Sequence, residues 1–263
     1  MKNLCLLALI NLAMSSCSFS ASPDKTIILV HAQWHGAWCW NKIVPLLEAR
    51  GIKTIAFDLP GHGQDSTPVE KVLLKTCVEK VVAEANRQPG QVLLLGHSSG
   101  GIIISQAAEF LGPAKVSALV FLDAFLPGNG ESVFSLADKY ATAGTPLGKS
   151  LIVSKDHITV SLNPDFVGDL LYHDCAQSDI DFAKKNLRPG PLAILATPVT
   201  VSAESYGRIR KFYILCTKAR DMEKSGLSGN VPCEKIYPLP SSHSPFFSEP
   251  DKLAEILAEI KLP

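Results

Sequence analysis

From residue 25 onward, short aliphatic and β-branched runs alternate with longer stretches whose apolar positions recur every three to four residues. The runs predict strands over 26–30, 53–57, 92–95 and 118–122, and the longer stretches predict helices over 40–50, 69–87 and 99–110. Gly51 closes the first of these helices and Pro89-Gly90 the second. The strands read as unbroken apolar runs rather than as alternating patterns, which predicts a mostly parallel sheet covered by helices on both faces. Between residues 127 and 210 the rhythm lapses into short helical patterns and Gly/Pro-rich loops. A structureless loop of that length is uncommon in a compact domain, so the segment is expected to be a helical cap insertion. Helices are predicted there over 165–173 and over 178–187, the latter with Ser178 as N-cap and Pro189 as the stop. Strands resume over 212–216 and 234–237, and a last helix follows Pro250 as far as Ile260.

The first twenty residues follow a different pattern. Lys2 precedes an apolar run from Leu4 to Met14 broken only by Asn11, and small residues follow at Ser15, Ser16, Ser18 and Ser20. This is the grammar of a secretory signal peptide over 1–20, and eleven residues span only about 16 Å as a helix, too short to cross a bilayer. Met14-Ser15-Ser16-Cys17 also resembles a bacterial lipobox, in which Cys17 would become a lipidated first residue. The expectation is export by a Gram-negative bacterium, to the periplasm or to a lipid anchor at the outer membrane, with membrane contact only if Cys17 is lipidated.

Composition narrows the class. The chain has 263 residues, 46% apolar and 19% charged, with 25 Lys+Arg against 25 Asp+Glu. Disorder is excluded, and a balanced charge argues against a nucleic-acid partner. Beyond the leader, Cys39, Cys77, Cys175, Cys216 and Cys233 show neither a disulfide framework nor zinc-ligand spacing. An oxidising compartment leaves room for one pair, with Cys175 considered as a member.

Gly96-His97-Ser98-Ser99-Gly100 lies between a predicted strand and a predicted helix. A serine nucleophile on such a strained turn needs small residues two before and two after it, where a side chain would meet neighbouring backbone. The turn exposes the Ser98 hydroxyl and puts the Ser99 N–H at a helix amino end, where it can stabilise an oxyanion. Among seven histidines, His243 falls after the last strand and before the last helix, the position of the base when the chain order is nucleophile, acid, histidine. His31, His35 and His62 sit on earlier strand-end loops and are expected to be structural or pocket-lining. His97 must point away from the place where a base acts, and His157 and His173 fall in the cap.

Four blocks together carry a resemblance: His31-Ala32-Gln33-Trp34-His35-Gly36 with Trp38 and Trp40, the Asp58-Leu59-Pro60-Gly61-His62-Gly63 loop, the serine elbow, and Ser242-His243-Ser244-Pro245. The chain resembles the methylesterase/hydroxynitrile-lyase branch of the α/β-hydrolases, which includes plant methyl-salicylate-type esterases and bacterial relatives. The resemblance implies an α/β-hydrolase fold, Ser98 as nucleophile, His243 as base, and an oxyanion hole formed by the Ser99 and Gln33 amides. Esterases of the family usually have His-Gly-small where this chain has His31-Ala32-Gln33, so the Gln33 side chain can intrude on the acyl site or add a donor. The acid of the plant members lies two residues past a Cys-Thr pair, where this chain has Ala219 after Cys216-Thr217. Asp221, two residues later, is one candidate. Asp123, in Leu122-Asp123-Ala124-Phe125 at the end of a strand, is the favoured one, because a strand end holds a carboxylate rigidly enough to orient an imidazole.

These residues imply a serine carboxylic-ester hydrolase acting through an acyl-enzyme on a small, largely uncharged ester, with no metal or organic cofactor. Two alternatives stand beside it. Hydroxynitrile lyases of the family carry a lysine after the histidine and a threonine in the first block, where this chain has Ser244 and Ala32. A non-catalytic binding protein on a hydrolase scaffold is the other. Phe125, Phe134, Tyr140, Phe166, Leu170, Leu171 and Tyr172 are candidates for an apolar substrate pocket.

Overall fold

Strands β1 (Thr26–Val30), β3 (Val92–His97) and β4 (Val116–Leu122) are buried along their whole length. The computed structural model describes residues 25–140 and 145–260, so the leader and Cys17 lie outside the described residues. Successive strand residues leave opposite faces of a sheet. Accordingly, Ile28, Val30 and Leu94 enter one core, while Ile27, Leu29, Leu93 and Leu95 enter a second. With β2 (Lys53–Ala56), β8 (Arg210–Cys216) and β9 (Lys235–Leu239) the strands form one six-stranded sheet of order β2-β1-β3-β4-β8-β9. Every pairing within it is parallel.

The first three helices are α1 (Ile43–Glu48), α2 (Leu74–Asn86) and α3 (Gly100–Lys115). The expected helix over 40–50 is shorter in the structure, because a 3₁₀ turn at Ala37–Trp40 precedes α1. The expected helix over 69–87 is split. A 3₁₀ turn covers Val69–Lys71, Val72 turns inward and is 1% exposed, and α2 begins at Leu74. Thr76 Oγ1 accepts the Leu73 N–H at 3.0 Å, which satisfies a donor at the new helix start. Inside α3, Gly112 has φ 66° and is followed by Pro113, so the regular helix ends there.

Between β4 and β8 the chain forms α4 (Val133–Tyr140), α5 (Pro146–Lys149), β5 (Leu151–Val153), β6 (Thr159–Leu162), α6 (Pro164–Leu171), α7 (Gln177–Asn186), β7 (Gly190–Pro191) and α8 (Leu192–Ala196). The antiparallel sheet β5-β6-β7 is absent from the purely helical expectation, since strands of two to four residues are too short to show a period. Helix α7 is capped at Ala176, not at Ser178, which lies within its first turn. The chain then adds α9 (Ser225–Ser228), α10 (Pro245–Ser248) and α11 (Pro250–Glu259). Helices α2 and α3 pack on one sheet face, and α1 and α11 on the other. Cys39, Cys77, Cys175, Cys216 and Cys233 all carry unpaired thiols, so the pair considered for Cys175 is not formed. Among the described residues no helix is long and apolar enough to cross a membrane.

Candidate active site

The carboxyl ends of β1, β3, β4, β8 and β9 converge on one edge of the sheet, where an open parallel sheet ordinarily builds its site. At the end of β3, Ser98 has φ 52°, a left-handed conformation that costs a non-glycine residue energy. Three backbone hydrogen bonds hold the turn: Ser98 N–H donates to Leu122 O at 3.2 Å, and Ser98 O accepts from Gly101 at 3.1 Å and Phe125 at 3.0 Å. A Cβ on Gly96 would stand 2.6 Å from Gly100 O, and one on Gly100 would stand 2.8 Å from Val30 O. Those contacts are the physical content of the Gly-x-Ser-x-Gly spacing.

His243 lies in the loop after β9 and is 3% exposed. Its Nδ1 donates to Asp123 Oδ2 at 2.6 Å, whereas Asp221 Oδ2 is 3.6 Å away. The structure therefore brings both candidate acids to the same imidazole and bonds only Asp123 to it. Asp123 also has positive φ, at 45°, and its Oδ1 accepts the Cys216 N–H at 3.2 Å. The residue that sequence reasoning missed is Lys224. Its Nζ lies 2.6 and 2.7 Å from the Asp221 oxygens and 2.9 Å from Asp123 Oδ2. In sequence it sits three residues after Asp221, the spacing of an ordinary surface ion pair. Burial alone distinguishes it, for its side chain is 1% exposed. Burial pushes the Asp123 carboxyl up, but the Lys224 ammonium and the His243 bond outweigh it and hold the group below its usual range. Burial likewise works against the Lys224 ammonium, and the two carboxylates outweigh it and raise that group.

Asp123, Asp221 and His243 offer three ligand atoms within 4.8 Å of one another. The ammonium of Lys224 contacts both carboxylates, so it already takes the position between them that a metal cation would need.

Of the remaining six histidines, His31, His35, His62 and His97 are buried. His97 Nε2 donates to the His243 carbonyl at 2.9 Å, with ring centroids 4.5 Å apart, so it supports the His243 loop. His31 Nδ1 donates to Ala32 O at 2.8 Å and its Nε2 accepts the Leu59 N–H at 3.0 Å, which fixes a neutral tautomer. His35 Nδ1 donates to Gln33 O at 2.9 Å, and its Nε2 accepts the Tyr172 hydroxyl at 2.7 Å. Burial is the main cause that lowers His31, His62 and His97, and it brings His35 down to about 4. His157 lies in the β5–β6 turn and His173 follows α6.

The residues of the two expected oxyanion donors are in contact. The Gln33 N–H donates to Ser99 Oγ at 2.8 Å, so that bond must be shared or exchanged when the amide serves another acceptor. Gln33 is among the residues that line the cavity beside Ser98, and its side-chain Nε2 donates to Pro191 O at 2.9 Å, which ties it to β7. Ser98 and Ser99 open onto a cavity of about 310 Å³ lined by Trp34, Phe125, Val133, Phe134, Leu147, Leu195 and Met222 among others. Of the seven pocket candidates, Phe125 and Phe134 line it. Tyr140 instead bonds Asn230 Oδ1 at 2.6 Å, Phe166 is 48% exposed, and Leu170, Leu171 and Tyr172 belong to the core. Helical spacing cannot separate a pocket wall from a core face, and that ambiguity accounts for the misplacement.

A parallel sheet, a strand–serine–helix elbow and a buried carboxylate–imidazole pair define the α/β-hydrolase class. Residues 27–256 match the alpha/beta hydrolase family, and the chain belongs to that family. It is 32% identical over 247 residues to an alpha-hydroxynitrile lyase of Arabidopsis thaliana, covering 89% of this chain and 95% of that protein. It is 30% identical over 254 residues to methylesterase 7 of the same plant, covering 90% and 96%. The solved structure of polyneuridine aldehyde esterase superposes with a TM-score of 0.81 at 27% identity, covering 89% of this chain and 98% of that one. The chain spans only 56% and 63% of the length of two chloroplastic proteins of that plant named as putative methylesterases 13 and 11.

Proposed function

We propose that the protein is a serine carboxylic-ester hydrolase that works through an acyl-enzyme on a small, uncharged ester. The observation that carries this reading is the 2.6 Å bond from His243 Nδ1 to Asp123, at the same sheet edge as the strained Ser98. With Nδ1 occupied, Nε2 is the imidazole nitrogen left to handle protons. Ser98 Oγ attacks the ester carbonyl as its proton passes to His243 Nε2, and the tetrahedral oxyanion is held by the Ser99 and Gln33 amides. Collapse of that intermediate breaks the ester C–O bond, with His243 returning the proton to the departing alcohol. Water then attacks the acyl-enzyme, giving its proton to His243, and the acid leaves as Ser98 regains its hydrogen. The relatives named as esterases support the hydrolytic direction.

An uncharged substrate is supported by the cavity, whose one charged lining residue among the described residues is Asp138. A carboxylate there disfavours an acidic acyl or alcohol group, and the apolar walls favour aryl or short alkyl ones. A fluorophosphonate probe is expected to label the wild-type protein at Ser98 and to leave Ser98→Ala unlabelled, with hydrolysis of p-nitrophenyl acetate lost in the same variant. Labelling or hydrolysis unchanged in Ser98→Ala would overturn the assignment.

A further inference from the structure

The site holds two carboxylates where one suffices to orient an imidazole, and it holds a buried ammonium as well. Asp123, at the end of β4, bonds His243, while Asp221 and Lys224 both come from the segment after β8. Lys224 Nζ lies 2.6 and 2.7 Å from the two Asp221 oxygens, 2.9 Å from Asp123 Oδ2 and 3.4 Å from His243 Nδ1. Exposure of the four side chains is 3% or less.

We propose that Lys224 is a positioning residue that cancels the charge of Asp221, so that His243 works against the single negative charge of one carboxylate. This rests on the hydrolytic reading above and adds a residue to it.

The charge count takes the titratable groups buried around the imidazole; the Asp174 carboxylate after α6 accepts the Ser242 N–H at 2.7 Å on the same loop and is common to all the proteins compared below. His97, from the end of β3, and His35, from the loop after β1, are held neutral by burial. The Cys216 thiol and the Tyr213 phenol on β8 are pushed up by burial and stay uncharged at neutral pH. Asp123, Asp221 and Lys224 remain, and with neutral imidazole they sum to one negative charge. A second unneutralised carboxylate at this range would either favour imidazolium or take up a proton itself. Either outcome removes the free base or the ionised acid. A buried ion pair of this kind is seldom retained for stability alone, since an apolar replacement of both partners is often neutral or stabilising.

Two variants test the inference without leaving two bare carboxylates side by side. Asp221→Asn leaves Lys224 facing Asp123 alone, so the surroundings of neutral imidazole become uncharged. Imidazolium is then disfavoured, and the acid limb of the kcat/KM profile is expected to move down by about one pH unit. At a pH below the limb, kcat/KM relative to its plateau rises about tenfold. Adding Lys224→Met to Asp221→Asn restores one negative charge and is expected to return the limb to the wild-type position. A merely structural role predicts lower activity at every pH with the limb unmoved. The inference is overturned if the Asp221→Asn limb coincides with wild type, or if the double variant stays with the single one. The same three proteins, each in a Ser98→Ala background, are compared without turnover by NMR titration of the His243 ring. If Ser98→Ala still hydrolyses ester while the ring titration shifts as described, the assignment of the acyl-enzyme to Ser98 has failed and the charge balance stands.

Discussion

Ser98 and Asp123 both hold left-handed backbone, at φ 52° and 45°, and neither is a glycine. Each follows the last residue of a buried strand, and each turn is tied to the neighbouring strand: Ser98 N–H to Leu122 O, and Asp123 N–H to Ile214 O at 2.8 Å. The sheet thus holds two strained turns in register and offsets a cost of about 1–3 kcal/mol at each. Under the proposed mechanism the Asp123 carboxylate fixes which imidazole nitrogen carries the proton. Asp123→Asn is therefore expected to lower kcat by about 10⁴-fold at the pH optimum while the protein stays folded. A loss below about tenfold, measured with p-nitrophenyl acetate, would contradict that role and show that Asp221 can orient the ring in its place.

Among the elements, the loop after β1 joins the sheet edge to the small antiparallel sheet above it. Trp34 Nε1 donates to Val160 O on β6 at 2.8 Å, Gln33 Nε2 to Pro191 O on β7 at 2.9 Å, and Arg188 N–H to Trp34 O at 3.1 Å. Gly190 completes the fit, since a Cβ there would stand 2.5 Å from Gln33 Nε2. The same loop supplies the Gln33 amide proposed for the oxyanion, so the seating of this sheet and the geometry of the oxyanion hole are mechanically linked. Trp34→Phe keeps most of the ring and deletes the bond to a carbonyl of fully buried Val160. The expected cost is about 1 kcal/mol, or a fall in Tm of about 2–4 °C, with faster amide exchange in β6. An unchanged Tm and unchanged exchange would show that the tether contributes nothing. The strands and helices around the main sheet were legible because their apolar runs are long. The strands β5 to β7 were not, because two to four residues show no period and their pairing depends on partners distant in sequence.

For the molecule as a whole, the parallel sheet buries both faces and carries with it several histidines that stay neutral in the fold. Burial lowers His31, His62 and His97, and it holds His35 at about 4. In the unfolded chain these groups titrate near about 6.5, so below that pH the unfolded state binds more protons than the folded one. Stability contributed by neutral imidazole is therefore complete above about pH 6.5 and is lost as pH falls from there, through about 4 in the case of His35. His35 alone accounts for about 3 kcal/mol once pH has dropped through its folded value. Denaturant melts from about pH 7.5 to about pH 4.5 are expected to show stability declining from about pH 6.5, before the carboxylates titrate. A flat profile down to about pH 5 would contradict that burial.

The layered α/β architecture, the serine elbow and the histidine after the last strand are all written in local patterns of the chain: unbroken apolar runs, glycines at fixed offsets from Ser98, and a position between a strand and a helix. Which carboxylate bonds His243 is settled only in three dimensions, because Asp123 and Asp221 are both plausible in sequence and differ by 2.6 against 3.6 Å in space. The same holds for the burial of Lys224 between them, for the turn of the Gln33 side chain toward β7, and for the choice of aromatic residues that line the cavity. A hydrogen bond or a burial of this kind is a relation between segments far apart in the chain. The packing of the sheet edge, rather than any local pattern, sets the distance between them.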